Sequence, residues 1–306
     1  MDTSRPCKFR QLKVKFLLSA CALLCVAMHG LAAPLLDTWV SLGQKAPEIP
    51  FPSRETLPPQ NAEPWAGTVS HHLLAGKLID DWFRELHERR FSHPIQTFFI
   101  ISPSHYGFST QPWSLADCSW RVSGGVVHTD AAKEKALAAS LAVPYDTQVF
   151  PVEHGVNTLI PFIAKYFPSA KVCAVAVHGE PPLNQHDAQR LAHALAPYFT
   201  DEGRKENFLL ISTDFSHHGN VAETARKDER SRIFFRSPTK ENVIFCGCDN
   251  RPGMYVLSQF LQPSSACAVL YHTNSYELSG GKDGEDITSY FFSFFYFSSR
   301  YVNPAK

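Results

Sequence analysis

Three short polar runs each carry histidine among serine, proline, aspartate or glycine: Ser70-His71-His72, Ser102-Pro103-Ser104-His105, and Ser212-Thr213-Asp214-Phe215-Ser216-His217-His218-Gly219. Neutral imidazole is a common metal ligand and also titrates closest to neutral pH, so these runs point to metal binding or proton transfer. One exposed histidine would mean little, whereas a convergent set would be a site. His71 or His72, together with His105 and a third donor, would make a facial metal site with open positions. Imidazole suits iron, copper or zinc, and an added thiolate shifts the preference towards softer metals. Asp214, three residues before His217, has two readings: it orients a histidine by hydrogen bonding, or it caps a helix starting near Asn220. Glu153-His154 opens a helix and could supply an acid or base; otherwise Glu153 simply meets the helix dipole. Cys246-Gly247-Cys248 on its own reads as two small buried apolar residues. The chain has no GxSxG, GxxxxGK[ST], GxGxxG or HExxH run, which removes the signatures of serine hydrolases, common nucleotide-binding enzymes and zincins.

The elements that must carry these runs alternate between strand and helix patterns. Leu74, Leu78, Trp82 and Leu86 mark one helical face, and Thr97 to Ile101 is an apolar run suited to a strand buried on both faces. A helix capped by Asp130 covers Asp130 to Ala142. Val156 to Phe167 forms another, kinked or irregular at Pro161. Strands follow at 172–177 and 208–212, helices at about 185–198 and 222–235, and late strands at 266–271 and 287–297. Such alternation predicts a single α/β layered domain, with a central, mostly parallel or mixed sheet flanked by helices. In these folds ligands bind beyond the carboxyl ends of the strands, which is where the histidine runs fall, with His178 after a further strand.

Charge narrows the function classes. Lys+Arg is 29 and Asp+Glu is 29, so the net charge is zero and no basic run offers a nucleic-acid surface. A hydrophobic content of 44% is ample for a large core. Arg5, Lys8, Arg10, Lys13 and Lys15 precede an apolar run, Phe16 to Met28, and then small residues. Residues 1–34 therefore read as a signal-peptide-like or anchoring segment, giving an exported or membrane-anchored protein; if it is not such a segment, the protein is cytoplasmic. Membrane association is expected through that segment alone. Pro-rich residues 35–64 read as a linker, and 65–306 as the folded domain.

The motifs together resemble a known family. Ser70-His71-His72-Leu73-Leu74-Ala75-Gly76, Ser102-Pro103-Ser104-His105, Glu153-His154-Gly155-Val156 with Ile160-Pro161-Phe162, and Ser212-Thr213-Asp214-Phe215-Ser216-His217 occur in the order found in Memo-like proteins, also called AmmeMemoRadiSam system protein B. The resemblance implies a fold similar to class III extradiol dioxygenases, in which two histidines and a glutamate hold iron(II) and another histidine moves protons. Memo-like proteins place a cysteine where that glutamate would be. The resemblance therefore implies His71, His105 and Cys248 as metal ligands. His217, Asp214 and His154 become the catalytic group, with His217 as acid–base or additional ligand. Cys248 is matched through Pro252, with Cys246 as the alternative thiol and His72 as the alternative to His71. The implied cofactor is iron(II) or copper. The implied protein is a redox enzyme of dioxygenase type acting on an unknown substrate, or a non-catalytic protein that uses the same scaffold to hold a small molecule, a peptide or a metal.

Overall fold

The computed structural model describes residues 34–38, 51–60, 62–106, 111–146, 148–178 and 185–297. The signal-like segment lies outside the described residues, apart from Pro34. Among the described residues no helix is long and apolar enough to cross a membrane.

The centre is a parallel set of four strands: β2 (Ala66–Val69), β8 (Asn207–Ser212), β3 (Thr97–Pro103) and β7 (Lys171–Val177), side by side in that order. Antiparallel strands extend it on both sides. β11 (Ile287–Phe297) pairs with β2, and β10 (Ser265–Asn274) pairs with β11; β9 (Phe215–Gly219) also adds to β11, while β4 (Trp113–Leu115) closes the far edge on β7. The sheet is thus mixed, with a parallel core. A separate small sheet joins β1 (Leu35–Asp37), β5 (Ser119–Val122) and β6 (Gly125–Val127).

Alternation along the central strands builds two cores. Phe98, Ile100, Phe208 and Leu210 face one side, against Trp82 and Phe83 of α1 (Gly76–Arg89). Phe99, Ile101, Leu209 and Ile211 face the other, against α2 (Ala131–Leu141), three more helices, α5 (Gln185–Leu195), α6 (Val221–Arg236) and α7 (Arg251–Gln259), and the turn at Phe199 that follows α5. Between these stretches of chain lie α3 (His154–Asn157) and α4 (Ile160–Tyr166). Period-two burial on both faces is what a sheet covered by helices on each side requires. Asp130 caps α2, its side chain accepting from Lys133 N. The expected kink at Pro161 is a full break: α3 ends at Asn157 and Pro161 sits in the first turn of α4, where its missing N–H costs nothing.

The Pro-rich stretch is not a free linker. β1 pairs with β5, and further on Glu55 N and Thr56 N donate to Leu270 O and Val269 O on β10. Arg54 fastens it to α1 through Asp81 at 3.0 Å and Glu85 at 2.8 Å.

Candidate metal centre

Each parallel strand releases a histidine or acid at its carboxyl end. His71 follows β2, His105 follows β3, and Asp214 follows β8. His71 is buried, and its Nδ1 lies 2.9 Å from Ser212 Oγ, whose own hydroxyl donates to Gly155 O at 2.5 Å. With the serine proton committed there, His71 Nδ1–H must be the donor, so a neutral His71 would present its Nε2 lone pair inward. His105 is held in the same sense. Its Nδ1 donates to Glu153 Oε1 at 2.6 Å, and its backbone N–H donates to Glu153 Oε2 at 2.9 Å. Glu153 is fully buried and also caps α3 through Gly155 N. Glu153 thus meets the helix start and holds His105 at the same time. Gly155 is forced by proximity, because a Cβ there would stand 2.2 Å from Ser102 Oγ.

Both Nε2 atoms meet a group that the sequence motifs did not single out. Asp249 Oδ2 lies 3.2 Å from His71 Nε2, 3.6 Å from His105 Nε2 and 3.5 Å from His217 Nε2. Asp214 Oδ2 adds a second carboxylate 3.6 Å from His71 Nε2. His154 completes a triple with His71 and His105, its ring 3.9 Å from that of His105 and its Nδ1 3.2 Å from Tyr106 OH. The close donor sets among the described residues are His71–His105–His154 and His71–Asp214–Asp249.

Asp249 arrives by a short antiparallel bridge. Phe215 pairs with Cys248, Ser216 N donates to Gly247 O, and Asp249 N donates to Asp214 O. Its Oδ1 is occupied by Thr213 Oγ1 at 2.9 Å and Asp214 N at 3.0 Å, which turns Oδ2 towards the histidines. Asn250 then locks the segment. Its Nδ2 donates to Ile101 O and Ser212 O at the ends of β3 and β8, and its Oδ1 caps α7 at Gly253 N. Side chains alternate along extended backbone, so Asp249 facing the site sends Cys248 the other way, into the apolar core with Cys246. Burial, with the Asp249 charge adding to it, pushes the Cys248 thiol up to about 12. It belongs to neither donor set, although it lines the same cavity as His105, His217 and Asp249. The structure thus brings Asp249, and not Cys248, to the histidines.

The other expected residues sort clearly. His72 turns away to Tyr290 OH at 2.5 Å, leaving His71 as the inward member of the pair. Asp214 does not cap α6, because Asn220 does so itself, in a reciprocal capping box with Glu223. His217 reaches Asp249 Oδ2 at 3.5 Å, and its backbone carbonyl accepts from Lys227 Nζ at 2.9 Å. It is flanked by left-handed residues, Ser216 at φ 43° and His218 at φ 55°, and Ser216 Oγ is anchored by buried Asp228 at 2.5 Å. Strain of that kind persists only where neighbours fix the backbone. His178 is exposed and outside both donor sets.

The charge balance is that of a cation site. Burial disfavours charge on His71, but Asp214 and Asp249 outweigh it and raise its pKa. Burial is likewise overridden at His105, where Asp249 and Glu153 raise the pKa to about 9. Asp249 would be raised by burial, yet the three imidazoles hold it well below the carboxylate range. His154, buried beside His71 and His105, is pushed down to about 4.

The sequence profile of the Memo-like protein family matches residues 64–242, more than half of the chain. The chain belongs to the Memo-like protein family. It is 26% identical to a MEMO1 family protein of Pyrobaculum aerophilum over 196 residues, 61% of this chain and 68% of the relative. A MEMO1 family protein of Methanopyrus kandleri is 24% identical over 243 residues, 73% of this chain and 82% of the relative. The profile match takes in His71, His105, His154, Asp214 and His217 and ends before Asp249, so this Memo-like chain's carboxylate comes from beyond the matched stretch.

Proposed function

We propose that this Memo-like protein binds a single transition-metal ion, iron(II) before copper, through His71, His105 and Asp249, and that the bound ion serves a redox reaction. The observation that carries the reading is that Asp249 Oδ2 and His217 Nε2 are buried and gathered with the other imidazoles, yet make no well-formed hydrogen bond. Buried polar atoms without partners are costly unless something else satisfies them. Each carboxylate–imidazole separation, 3.2 to 3.6 Å, fits two donors sharing one ion. Ligands about 2.1 Å from a metal stand about 3.0 Å apart at right angles and about 3.4 Å apart in a tetrahedron. Two histidines and one carboxylate are the donor set that favours iron(II).

Such an ion would supply a redox-active centre with positions left open for substrate. Around it, Ser212 and Glu153 orient the two histidine ligands, and Asp214 adds negative charge beside His71. His217, beside Asp249 and fixed at both flanks, is the group placed to give or take a substrate proton. His154 is kept neutral by burial and by His71 and His105. The reading is tested by anaerobic titration with iron(II), copper and zinc, followed by O₂ uptake with candidate substrates. One iron(II) per chain, lost in His71→Ala, is the expected result. Failure to bind any of the three metals overturns the reading, while binding without O₂ uptake reduces it to a metal-holding role.

A further inference from the structure

A cavity of about 550 Å³ opens onto His105, His217 and Asp249, a size suited to a small organic molecule. Its walls are unusual in charge. Lys227, Arg230 and Arg251 all line it, and among the described residues its one carboxylate is Asp249, already directed at the imidazoles. Lys227 and Arg230 stand three residues apart on α6 and so share a face. The acids of that helix are engaged elsewhere: Glu223 in the capping box, Asp228 with Ser216, Ser289 and His272, and Glu229 with Arg232 and Arg236. Among the described residues, neither Arg230 nor Arg251 has a carboxylate within ion-pair distance. Arg251 also occupies the first position of α7, where the helix dipole is positive and a cation is unfavourable. Its placement there works against helix stability, and the cavity gains a second source of positive potential. Ile244, two-thirds exposed at 67%, and Phe245 supply an apolar wall.

We infer that the substrate of this centre is a small organic acid, with an apolar body against Ile244 and Phe245 and an acidic group held by Arg230 and Arg251. Paired guanidiniums bind carboxylate and phosphate through parallel charge-assisted hydrogen bonds, so both head groups fit the same chemistry. Lys227 contributes charge while its ammonium group also holds the His217 carbonyl. The inference rests on the reading of the neighbouring cluster as a metal centre, and its test separates the two.

The full chain is titrated calorimetrically with benzoate, phenyl phosphate and the neutral isostere benzamide, with metal content measured in parallel. Arg230→Gln, Arg251→Gln and the double variant are compared, Lys227 being left intact. Both arginines lie at the surface or at a helix start, so the variants keep the fold, and Arg251→Gln removes a like charge from the dipole. The acids should bind in preference to benzamide and more weakly in high salt. The double variant should lose about 10- to 100-fold in affinity for the acid, with metal stoichiometry unchanged. Preference between benzoate and phenyl phosphate identifies the head group. Equal binding of benzamide, or acid binding unaffected in the double variant, overturns the inference. Arginine-dependent acid binding by a chain that takes up no metal would leave the acid site standing and overturn the metal reading instead.

Discussion

Replacing Asp249 by asparagine removes one charge and little else. Asp249 Oδ1 accepts from Thr213 Oγ1 and Asp214 N, and an asparagine carbonyl retains both bonds. The amide nitrogen then stands where Oδ2 did, 3.2 to 3.6 Å from three imidazole nitrogens, offering N–H groups where a metal requires a lone pair. The loss is set by charge: two unit charges 4 Å apart at an effective dielectric of 20 attract by about 4 kcal/mol. At about 1.4 kcal/mol per tenfold, that corresponds to a metal affinity about a thousandfold weaker. A divalent ion feels the change at least as strongly. Cys248→Ser is the paired control. Its thiol is buried in the apolar core and pushed up to about 12, so the substitution should cost stability and leave metal affinity nearly intact. The assay is chelator competition with iron(II) under anaerobic conditions, alongside circular dichroism to confirm the fold of each variant. Undiminished binding by Asp249→Asn together with loss of binding in folded Cys248→Ser would refute the geometric argument and return the site to a thiolate.

Glu153→Gln keeps an acceptor for His105 but loses the charge that orients the ring; metal affinity should fall about 10- to 100-fold, read by the same competition. His105 is held protonated up to about 9, so metal binding at neutral pH must expel its proton. Calorimetry in buffers of differing ionisation enthalpy should show at least one proton released per ion at pH 7 and tightening affinity as pH climbs towards 9, whereas pH-independent binding would exclude His105. Away from the site, burial raises the Glu134 carboxyl from 4.5 to about 8. A folded carboxyl that keeps its proton loses stability as pH rises from about 4.5 to about 8, so Glu134→Gln should flatten that decline in denaturant midpoints taken across the range.

The central strands and the three histidine positions were legible because both rest on local signals. Phe98 to Ile101 and Phe208 to Ile211 are continuous apolar runs that only a doubly covered strand explains, and each is followed at once by its polar loop. Short edge elements lacked such a signal. β4, Trp113–Leu115, and the strands of the small sheet have three or four residues each and owe their form to a neighbour, not to their own pattern. The contacts of the Pro-rich stretch were hidden for a related reason: Arg54 and Glu55 act through partners on α1, α6 and β10 that sequence proximity does not suggest. Asp249 was missed because matching through Pro252 drew attention to the thiol at 248, and a one-residue change of face exchanges every side chain between core and site. The usable clue was Asp249-Asn250-Arg251-Pro252 itself, an Asx pair before a proline in the first turn, which marks a helix start and places Asp249 just outside it.

The charges around His71 explain why a proton and a metal ion would compete for the same place. Glu153, Asp214 and Asp249 bring three carboxylates to a largely buried space, and no lysine or arginine forms an ion pair with them among the described residues. Positive charge must come from elsewhere. Without an ion it comes from the imidazoles, and the shifts divide the task unequally: His71 and His105 rise, whereas His154 falls to about 4. A site satisfied by protonating all its histidines would raise all three. One that leaves His154 neutral, with its ring 3.9 Å from that of His105, limits the positive charge it accepts. A divalent ion at the inward Nε2 atoms meets that demand with a single compact charge and lets His71 and His105 become neutral ligands. The Ser212 and Glu153 contacts already direct their remaining protons to Nδ1. The same carboxylates that raise the histidine pKa values would therefore favour a metal ion there, and the affinity of one cation would be measured by the release of the other.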